Sequence, residues 1–333
     1  MRLFIFEFIS SGYLLDQTLP DSLVIEGDLM LRCLLNDAVE VKWKESIEIC
    51  TLRDYRLAPL NLPIQVYTPR STNEARAHWQ TALQWANMVL VVAPETEGVL
   101  ATFSQAVVAA KKILLGCRLP AIQLTTSKRQ TALQLASYQL PIIPSYQARQ
   151  AFPESPNGWI VKPDTGAGCE HTYLCNERAM IRQYLPLIPN PIIQPYIVGE
   201  AASLTLLTDG INCRLVAVNK QHIQVDNHHQ LHLNTLTVNL FYSFASRFQA
   251  VVECLPKAIP GLWGWVGVDV LITDTDYFVV EVNPRLTTSY VGLKTSIQAN
   301  PLSLLLHLLY SDEVFTMPLA HEAIFLGNLH DIK

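Results

Sequence analysis

Half of the 333 residues are apolar, enough to bury a sizeable core and to build two or three packed subdomains. Charged residues make up only 16% and the net charge is −5, which argues against a surface built to neutralise the phosphates of a nucleic acid. No apolar run approaches the roughly 20 residues of a membrane-spanning helix, and the seven scattered cysteines, without a Cys-x-x-Cys, fit reduced thiols in a cytoplasmic protein.

In chain order, residues 3–9 predict a first buried strand: Glu7 interrupts what would otherwise resemble a leader, and no small-residue cleavage site follows. Ser10-Ser11-Gly12 predicts a turn, and Asp21 or Ser22 the cap of a helix with apolar spacing through Leu23, Leu29, Met30, Leu31 and Leu34. A strand over residues 47–52 and a helix over 79–87 precede the continuous apolar run 88–93, which suits a strand covered on both faces. A helix over 102–112 and a strand over 112–115 complete a small doubly wound α/β domain within residues 1–120. Residues 125–135 predict a helix, and the proline-rich stretch 141–156 a connector.

Beyond it the texture changes. Strands over 159–163 and 172–174 flank a glycine loop, and further strands follow at short spacing over 192–197, 202–207, 213–221, 266–273 and 277–282. A helix over 302–310 closes this antiparallel-rich α+β half.

Three constellations can carry chemistry. In Gly267-Val268-Asp269 and Glu281-Val282-Asn283, joined by a polar turn at Asp274 to Asp276, alternation puts Glu281 and Asn283 on one face and Asp269 across from them. Carboxylates among apolar residues call for a compensating cation, and an oxygen-only donor set favours Mg²⁺ or Mn²⁺; the plainer reading is satisfaction by backbone groups or by Arg285. Lys162, followed by Gly166-Ala167-Gly168, offers positive charge and close N–H donors to a phosphate. This loop is neither a Walker A motif nor a G-x-G-x-x-G turn, since His171 stands where the last glycine belongs, and alone it reads as an ordinary hairpin. The strand edge Gln194-Pro195-Tyr196-Ile197 can show adenine a carbonyl and an N–H, with Glu200 near enough for a ribose, or it is a plain strand and turn. His222, His228, His229 and His232 match no closed zinc spacing and read as a solvated hairpin tip, while Trp263 and Trp265 read as core before they read as a ring-stacking site.

Lys128, then Lys162 with its glycine loop, then the 194–200 segment, then Asp269, Glu281, Asn283 and Arg285 follow the order found in ATP-grasp ligases. The chain resembles that superfamily over nearly its whole length. The resemblance implies an α/β plus α+β architecture: a Rossmann-like pre-ATP-grasp domain at 1–120, an ATP-grasp N-terminal subdomain with the glycine loop at 121–190, and a C-terminal subdomain with the magnesium site at 191–333. It implies that Lys128 and Lys162, with Gly166 and Gly168, contact ATP phosphates, that the backbone at Pro195 and Ile197 beside Gln194 reads adenine, and that Glu200 holds the ribose. Asp269, Glu281 and Asn283 would then be metal ligands, and the reaction an amide ligation through an acyl phosphate, with Arg285 gripping carboxylate or phosphoryl oxygens.

A finer resemblance lies outside the nucleotide site. Residues 7–12, Leu19-Pro20-Asp21-Ser22-Leu23, Pro94-Glu95-Thr96-Glu97-Gly98 and Asn283-Pro284-Arg285-Leu286-Thr287-Thr288-Ser289-Tyr290 look like the tyramine–L-glutamate ligase group of methanofuran-type cofactor biosynthesis. The chain departs from that pattern at Ser11-Gly12-Tyr13 and at Gln194. On this footing Thr287, Thr288, Ser289 and Tyr290 are candidates for the substrate carboxylate, and Glu7, Glu95 and Glu97 for the amine. The partners implied are small-molecule acid and amine substrates, acting on a single chain or a homodimer. Two other classes stay open: a kinase-like enzyme with the same nucleotide site that releases a stable phosphorylated product, and a non-catalytic Mg-ATP binding module. A dehydrogenase would need the glycine fingerprint that the α/β opening lacks.

Overall fold

The computed structural model describes residues 1–19, 21–41, 46–166 and 168–328. The first sheet is built from β1 (Arg2–Glu7), β2 (Glu48–Leu52), β3 (Gln65–Tyr67), β4 (Met88–Val92) and β5 (Ile113–Leu114), all parallel, in the order β3-β2-β1-β4-β5. The helices α1 (Asp21–Glu40), α2 (Thr72–Trp85) and α3 (Val99–Ala109) connect its strands. The capping side chains expected at Asp21 or Ser22 lie outside the described residues. Strand order reverses between β1 and β4, so the chain leaves both strands at a switch point, where α/β sheets leave a crevice at their carboxyl ends. Glu7 ends β1 there, and the backbone turns into a 3₁₀ segment (Ile9–Ser11) where a strand through residue 9 was expected. Glu95 follows β4 in the neighbouring loop.

Two helices, α4 (Leu119–Thr126) and α5 (Lys128–Ser137), stand where one was expected over 125–135. The division falls at Ser127, whose hydroxyl accepts from the N–H of Gln130 as an N-cap and so starts a new helix. The second sheet follows, with β6 (Tyr146–Gln147), β7 (Trp159–Pro163), β8 (Tyr173–Cys175), α6 (Arg178–Tyr184) and β9 (Pro191–Pro195), the strands antiparallel in the order β6-β9-β7-β8. Its core is its own: Trp159, Val161, Tyr173, Ile181 and Ile193 pack together, with Tyr173 and Tyr184 stacked at 4.2 Å. Because β9 pairs with β7, this sheet runs past the boundary expected at residue 190.

The third sheet comprises β10 (Glu200–Thr208), β11 (Cys213–Val225) and β12 (Leu231–Val238), then, after α7 (Gln249–Ala258), β13 (Gly264–Ile272) and β14 (Tyr277–Asn283). The helices α8 (Tyr290–Ile297) and α9 (Pro301–His307) and the edge strand β15 (Ile324–Asn328) complete an antiparallel order β14-β13-β10-β11-β12-β15. Its packing is shared with the first sheet. Phe4, Phe6 and Val89 belong to one buried cluster with Leu204, Val268 and Val270, and Leu3, Ile5 and Leu31 to another with Leu286, Leu302 and Leu305. Each such fully buried aliphatic side chain is worth roughly 1.5–3 kcal/mol, so the first and third sheets are welded together while the second is packed on itself.

Candidate active site at the meeting of two cavities

Asp269 and Glu281 are register partners on β13 and β14, and the ladder slips just beyond them, where Val270 pairs with Val279. Val280 is the extra residue of this bulge and lines the same cavity as Glu281, so the irregularity serves to aim the carboxylate inward. Asp269 accepts from Gln221 Nε2 at 3.1 Å and, at a long 3.4 Å, from Asn283 Nδ2. Glu281 stands 3.1 Å from Lys128 Nζ.

Lys128 owes its place to Asp164, which lies 36 residues on in the loop after β7. One Asp164 carboxylate oxygen accepts from Ser127 Oγ at 2.6 Å and the other from the Arg129 N–H at 2.8 Å, while its carbonyl accepts from the Lys128 N–H at 2.9 Å. Lys128 Nζ in turn donates to the Gly166 carbonyl at 2.7 Å, which ties the lysine to the glycine loop. That loop bends through left-handed backbone at Gly168 (φ 69°), Cys169 (φ 61°) and His171 (φ 50°), of which only the first is glycine.

The charges are crowded. Burial lowers the pKa of the Lys162 ammonium, only 6% exposed, although the Glu281 carboxylate works the other way. Burial pushes Asp269 well above the ordinary carboxylate range and repulsion from Glu281 adds to it. Burial would raise Glu281 as well, but Lys128 and Lys162 outweigh it and hold that carboxyl at about 2. Cys169, between the same groups, has its thiol pushed up to about 12 by burial, with Glu281 and Asp269 contributing. One of two adjacent carboxylates thus has cationic neighbours and the other has only amide donors, an imbalance that a hard divalent cation would relieve; the Asp269, Glu281 and Asn283 oxygens fit magnesium or manganese.

Two cavities meet here. A cleft of about 180 Å³ runs between the second and third sheets, with Ile143, Ile160, Ile197 and Leu271 on its apolar walls and Lys128, Lys162, Asp269 and Glu281 at its end. A larger cavity of about 410 Å³ opens at the switch point of the first sheet, lined by Glu7, Glu26, Met30, Arg285, Thr287 and Ser289. The two share Cys169, Glu170, Gln221, Leu231, Asp269 and Glu281.

The expected residues therefore divide between the two spaces. Lys128, Lys162, Gly166, Gln194, Pro195 and Ile197 line the cleft; Gly168, Asn283, Arg285, Thr287, Thr288, Ser289 and Glu7 line the larger cavity. Within the cleft the Tyr196 N–H is given to the Gly158 carbonyl, so ladder alternation leaves the neighbouring Pro195 carbonyl and Ile197 N–H as the groups an adenine edge could use. Thr288 donates to Glu26 at 2.7 Å, and Ser289 bridges Thr287 and Thr205 at 3.0 Å each.

Four expectations do not match their positions. Glu200 lines neither cavity: alternation along β10 turns Ala201 and Ser203 toward the site, and Glu200 pairs with Lys220 at 2.9 Å instead. Tyr290 is buried and spends its hydroxyl on Asp37 of α1 at 2.8 Å. Glu95 turns away from the larger cavity to meet Arg285, and Glu97 is exposed beside it. The histidine-rich tip is not simply solvated: Asp226 holds His232 at 3.0 Å, and the tip docks on the second sheet through the His229 carbonyl, which accepts from the Leu174 N–H at 2.9 Å. Among the described residues no three His, Cys, Asp or Glu side chains converge as a metal cluster. Trp263 and Trp265 are core residues. Gln221, Asp164, Glu26 and Cys169 belong to the site without having been expected there; the sequence cues were the Asp-x-Gly-x-Gly context of Asp164 and Cys169 and, for Glu26, the Glu26-Gly27 pair shared with the finer resemblance.

Comparison with known proteins follows the same division. Residues 47–122 match a family model described as pre ATP-grasp 3 domain, and residues 125–289 one described as ATP-grasp domain. A tyramine–L-glutamate ligase of Methanocaldococcus jannaschii is 27% identical over 274 residues, which cover 81% of this chain and 79% of that protein. Among solved structures, a putative ATP-grasp superfamily protein from Archaeoglobus fulgidus superposes with a TM-score of 0.70 at 22% identity, over 92% of this chain and 88% of the other. An L-amino acid ligase from Bacillus licheniformis does so with a TM-score of 0.65 at 15% identity, over 93% and 74%.

Proposed function

We propose, on the premise that this chain belongs to the ATP-grasp superfamily, that it is an ADP-forming carboxylate–amine ligase working through an acyl phosphate. The observation that carries this reading is the meeting of an apolar, lysine-ended cleft with a larger polar cavity at Asp269 and Glu281. In it adenine lies against Ile160 and Leu271 with its edge on the Pro195 carbonyl and the Ile197 N–H, and the phosphates run to Lys128, Lys162 and the glycine loop. Asp269, Glu281 and Asn283 would hold a magnesium or manganese ion, whose contribution when bound is to neutralise phosphate charge.

The acid occupies the larger cavity with its carboxylate on Arg285. A carboxylate oxygen attacks the γ-phosphorus, the bond to the β-phosphate oxygen breaks, and ADP leaves. The amine, in its neutral form, then attacks the acyl carbon, inorganic phosphate departs, and the nitrogen loses a proton. The protein's part is to hold reactants together, to set the cationic groups of Lys128, Lys162 and Arg285 against charge that migrates toward the transferring phosphoryl group, and to exclude water under the loop. The finer assignment is L-glutamate as the acid and tyramine or a related amine as its partner, in cofactor biosynthesis of the methanofuran type. Its support is the relative's specificity and the apolar side of the larger cavity, where Leu23, Met30, Leu233 and Leu236 suit an aromatic body.

The test is ADP release from Mg-ATP with L-glutamate and tyramine, with the amide identified by mass spectrometry and hydroxylamine added in parallel as a trap. Glutamyl hydroxamate is the expected product of the trap. A stable phosphorylated acid without hydroxamate would mark a kinase, and ATP that is bound but never turned over with any acid would leave a binding module.

A further inference from the structure

Arg285 lines the larger cavity, yet its side chain is only 14% exposed. A guanidinium so far removed from water needs a compensating charge close by. The charge comes from the other welded sheet. Glu95, 190 residues earlier and in the loop after β4, has a side chain 7% exposed. Arg285 Nη2 donates to Glu95 Oε2 at 3.1 Å, and Nε lies 3.0 Å from Oε1. The second contact is out of line, so neither Nε nor Oε1 completes a hydrogen bond there; charge and one hydrogen bond hold the pair. Nη1 makes only a long contact of 3.3 Å, to the carbonyl of Leu286.

The carboxylate is in turn held by its own loop. The Gly98 N–H donates to the Glu95 carbonyl at 3.1 Å, the Leu100 N–H to that of Pro94 at 3.0 Å, and Glu97 and Gly98 take left-handed backbone. Glu95 lines neither cavity, so a substrate in either would meet Arg285 and not Glu95.

We propose that Glu95 is the positioning residue of Arg285: by occupying the Nε–Nη2 edge of the guanidinium it turns the outer Nη edge to the cavity as a preset fork for the acid's carboxylate. The inference rests on the ligase reading given above. A planar fork binds a carboxylate well only when its plane is fixed beforehand, because Arg otherwise surrenders rotamer freedom on each binding event. It also makes the grip on the acid depend on the docking of the first sheet against the third, since neither sheet supplies both partners.

The experiment compares Glu95→Gln, which keeps shape and removes charge, Glu95→Asp, which keeps charge, and each in an Arg285→Lys background. In the hydroxamate assay with L-glutamate, Glu95→Gln should raise KM for the acid about tenfold or more and leave KM for ATP within about twofold, the split expected of lost ground-state grip. Glu95→Asp should recover part of that loss. In Arg285→Lys, Glu95→Gln should add little, because the residue it acts through is gone. A second readout needs no turnover: the Arg285 Nε–H resonance in a ¹⁵N spectrum, identified by its disappearance in Arg285→Lys, should shift in Glu95→Gln. Equal effects of Glu95→Gln in both backgrounds, or a resonance that does not move, overturn the proposal. Wild-type protein that forms no hydroxamate from L-glutamate would instead defeat the acid assignment, and the resonance would still decide the role of Glu95; should Glu95→Gln not fold, Glu95→Asp is read by the same two measures.

Discussion

Gly267 is a position beside the site where a single added carbon should be felt. It sits on β13 two residues before Asp269 and opposite Asn283, and a Cβ there would stand 2.5 Å from the Thr287 methyl carbon. Restoring the 3.4 Å of ordinary contact needs that methyl to retreat by about 0.9 Å. Thr287 is not free to do so: its hydroxyl meets Ser289 at 3.0 Å, Ser289 meets Thr205 at 3.0 Å, and Asn219 donates to Thr205 at 3.0 Å. Overpacking of this kind costs about 1–3 kcal/mol, and replacing a strand glycine returns roughly 0.5–1 kcal/mol, so Gly267→Ala should lose about 1–2 kcal/mol net. Thr287→Ser removes the clashing methyl and keeps the hydroxyl. Urea unfolding of both single variants and the double variant should therefore show a favourable coupling of about 1 kcal/mol or more, and the acid KM should rise in Gly267→Ala and recover in the double variant. Losses that add within about 0.5 kcal/mol would refute the contact as the cause.

Other expectations follow from the same geometry. Glu281→Gln removes the partner of Lys128 but also the charge that repels Asp269, so the melting temperature should change little while magnesium-dependent ATP turnover falls about 100-fold or more; full turnover would sink the metal assignment. Asp164→Ala takes away the two side-chain anchors of the α5 N-terminus and should cost about 1–2 kcal/mol while raising the KM for ATP through a loosened Lys128; a normal KM would disconnect the cap from the site. Burial holds the Glu7 carboxyl above its ordinary value of 4.5 despite hydrogen bonds from Ser10 and Ile9. The folded state thus binds this proton more tightly, and the associated stability is present below the ordinary value and lost as pH rises through the raised one. Denaturant titrations across that range should show a shallower decline in Glu7→Gln than in wild type, and an unchanged slope would contradict the raised value.

The run 88–93 proved a strand buried on both faces because nothing but a doubly covered sheet accommodates six consecutive apolar residues there. Periodicity placed the start of α2 at residue 79, whereas the helix begins at Thr72, and the cue was present: Ser71 Oγ accepts from the Glu74 N–H at 3.2 Å and Glu74 answers by accepting from the Arg70 N–H at 2.8 Å, a Ser-x-x-Glu cap. The short β3, partly exposed, carries no such signal, and its place at the sheet edge comes from pairing with β2.

The site divides in the same way. The meeting of Asp269 and Glu281 was legible because hairpin alternation needs only the neighbouring residues, whereas Glu200 was misplaced because the face it takes depends on which residues of β10 meet β11 and β13. Arg285 with Glu95, Lys128 with Asp164 and Tyr290 with Asp37 join residues 190, 36 and 253 apart, and no local pattern announces them. Those long-range pairs assign different mechanical roles to the two halves of the site. The first and third sheets share continuous cores and are pinned across by Glu95 and Asp37, so the wall of the larger cavity that carries Arg285 is a rigid seat. The second sheet has its own core and is tied to the rest through Asp164, which holds the N-terminus of α5, and through the hairpin tip at His228 to Leu231. Few buried apolar contacts cross that seam, and an element held this way opens at lower free energy than one welded by a core. On the proposed reading, entry and release of a nucleotide fall to the half whose displacement leaves the grip on the acid intact.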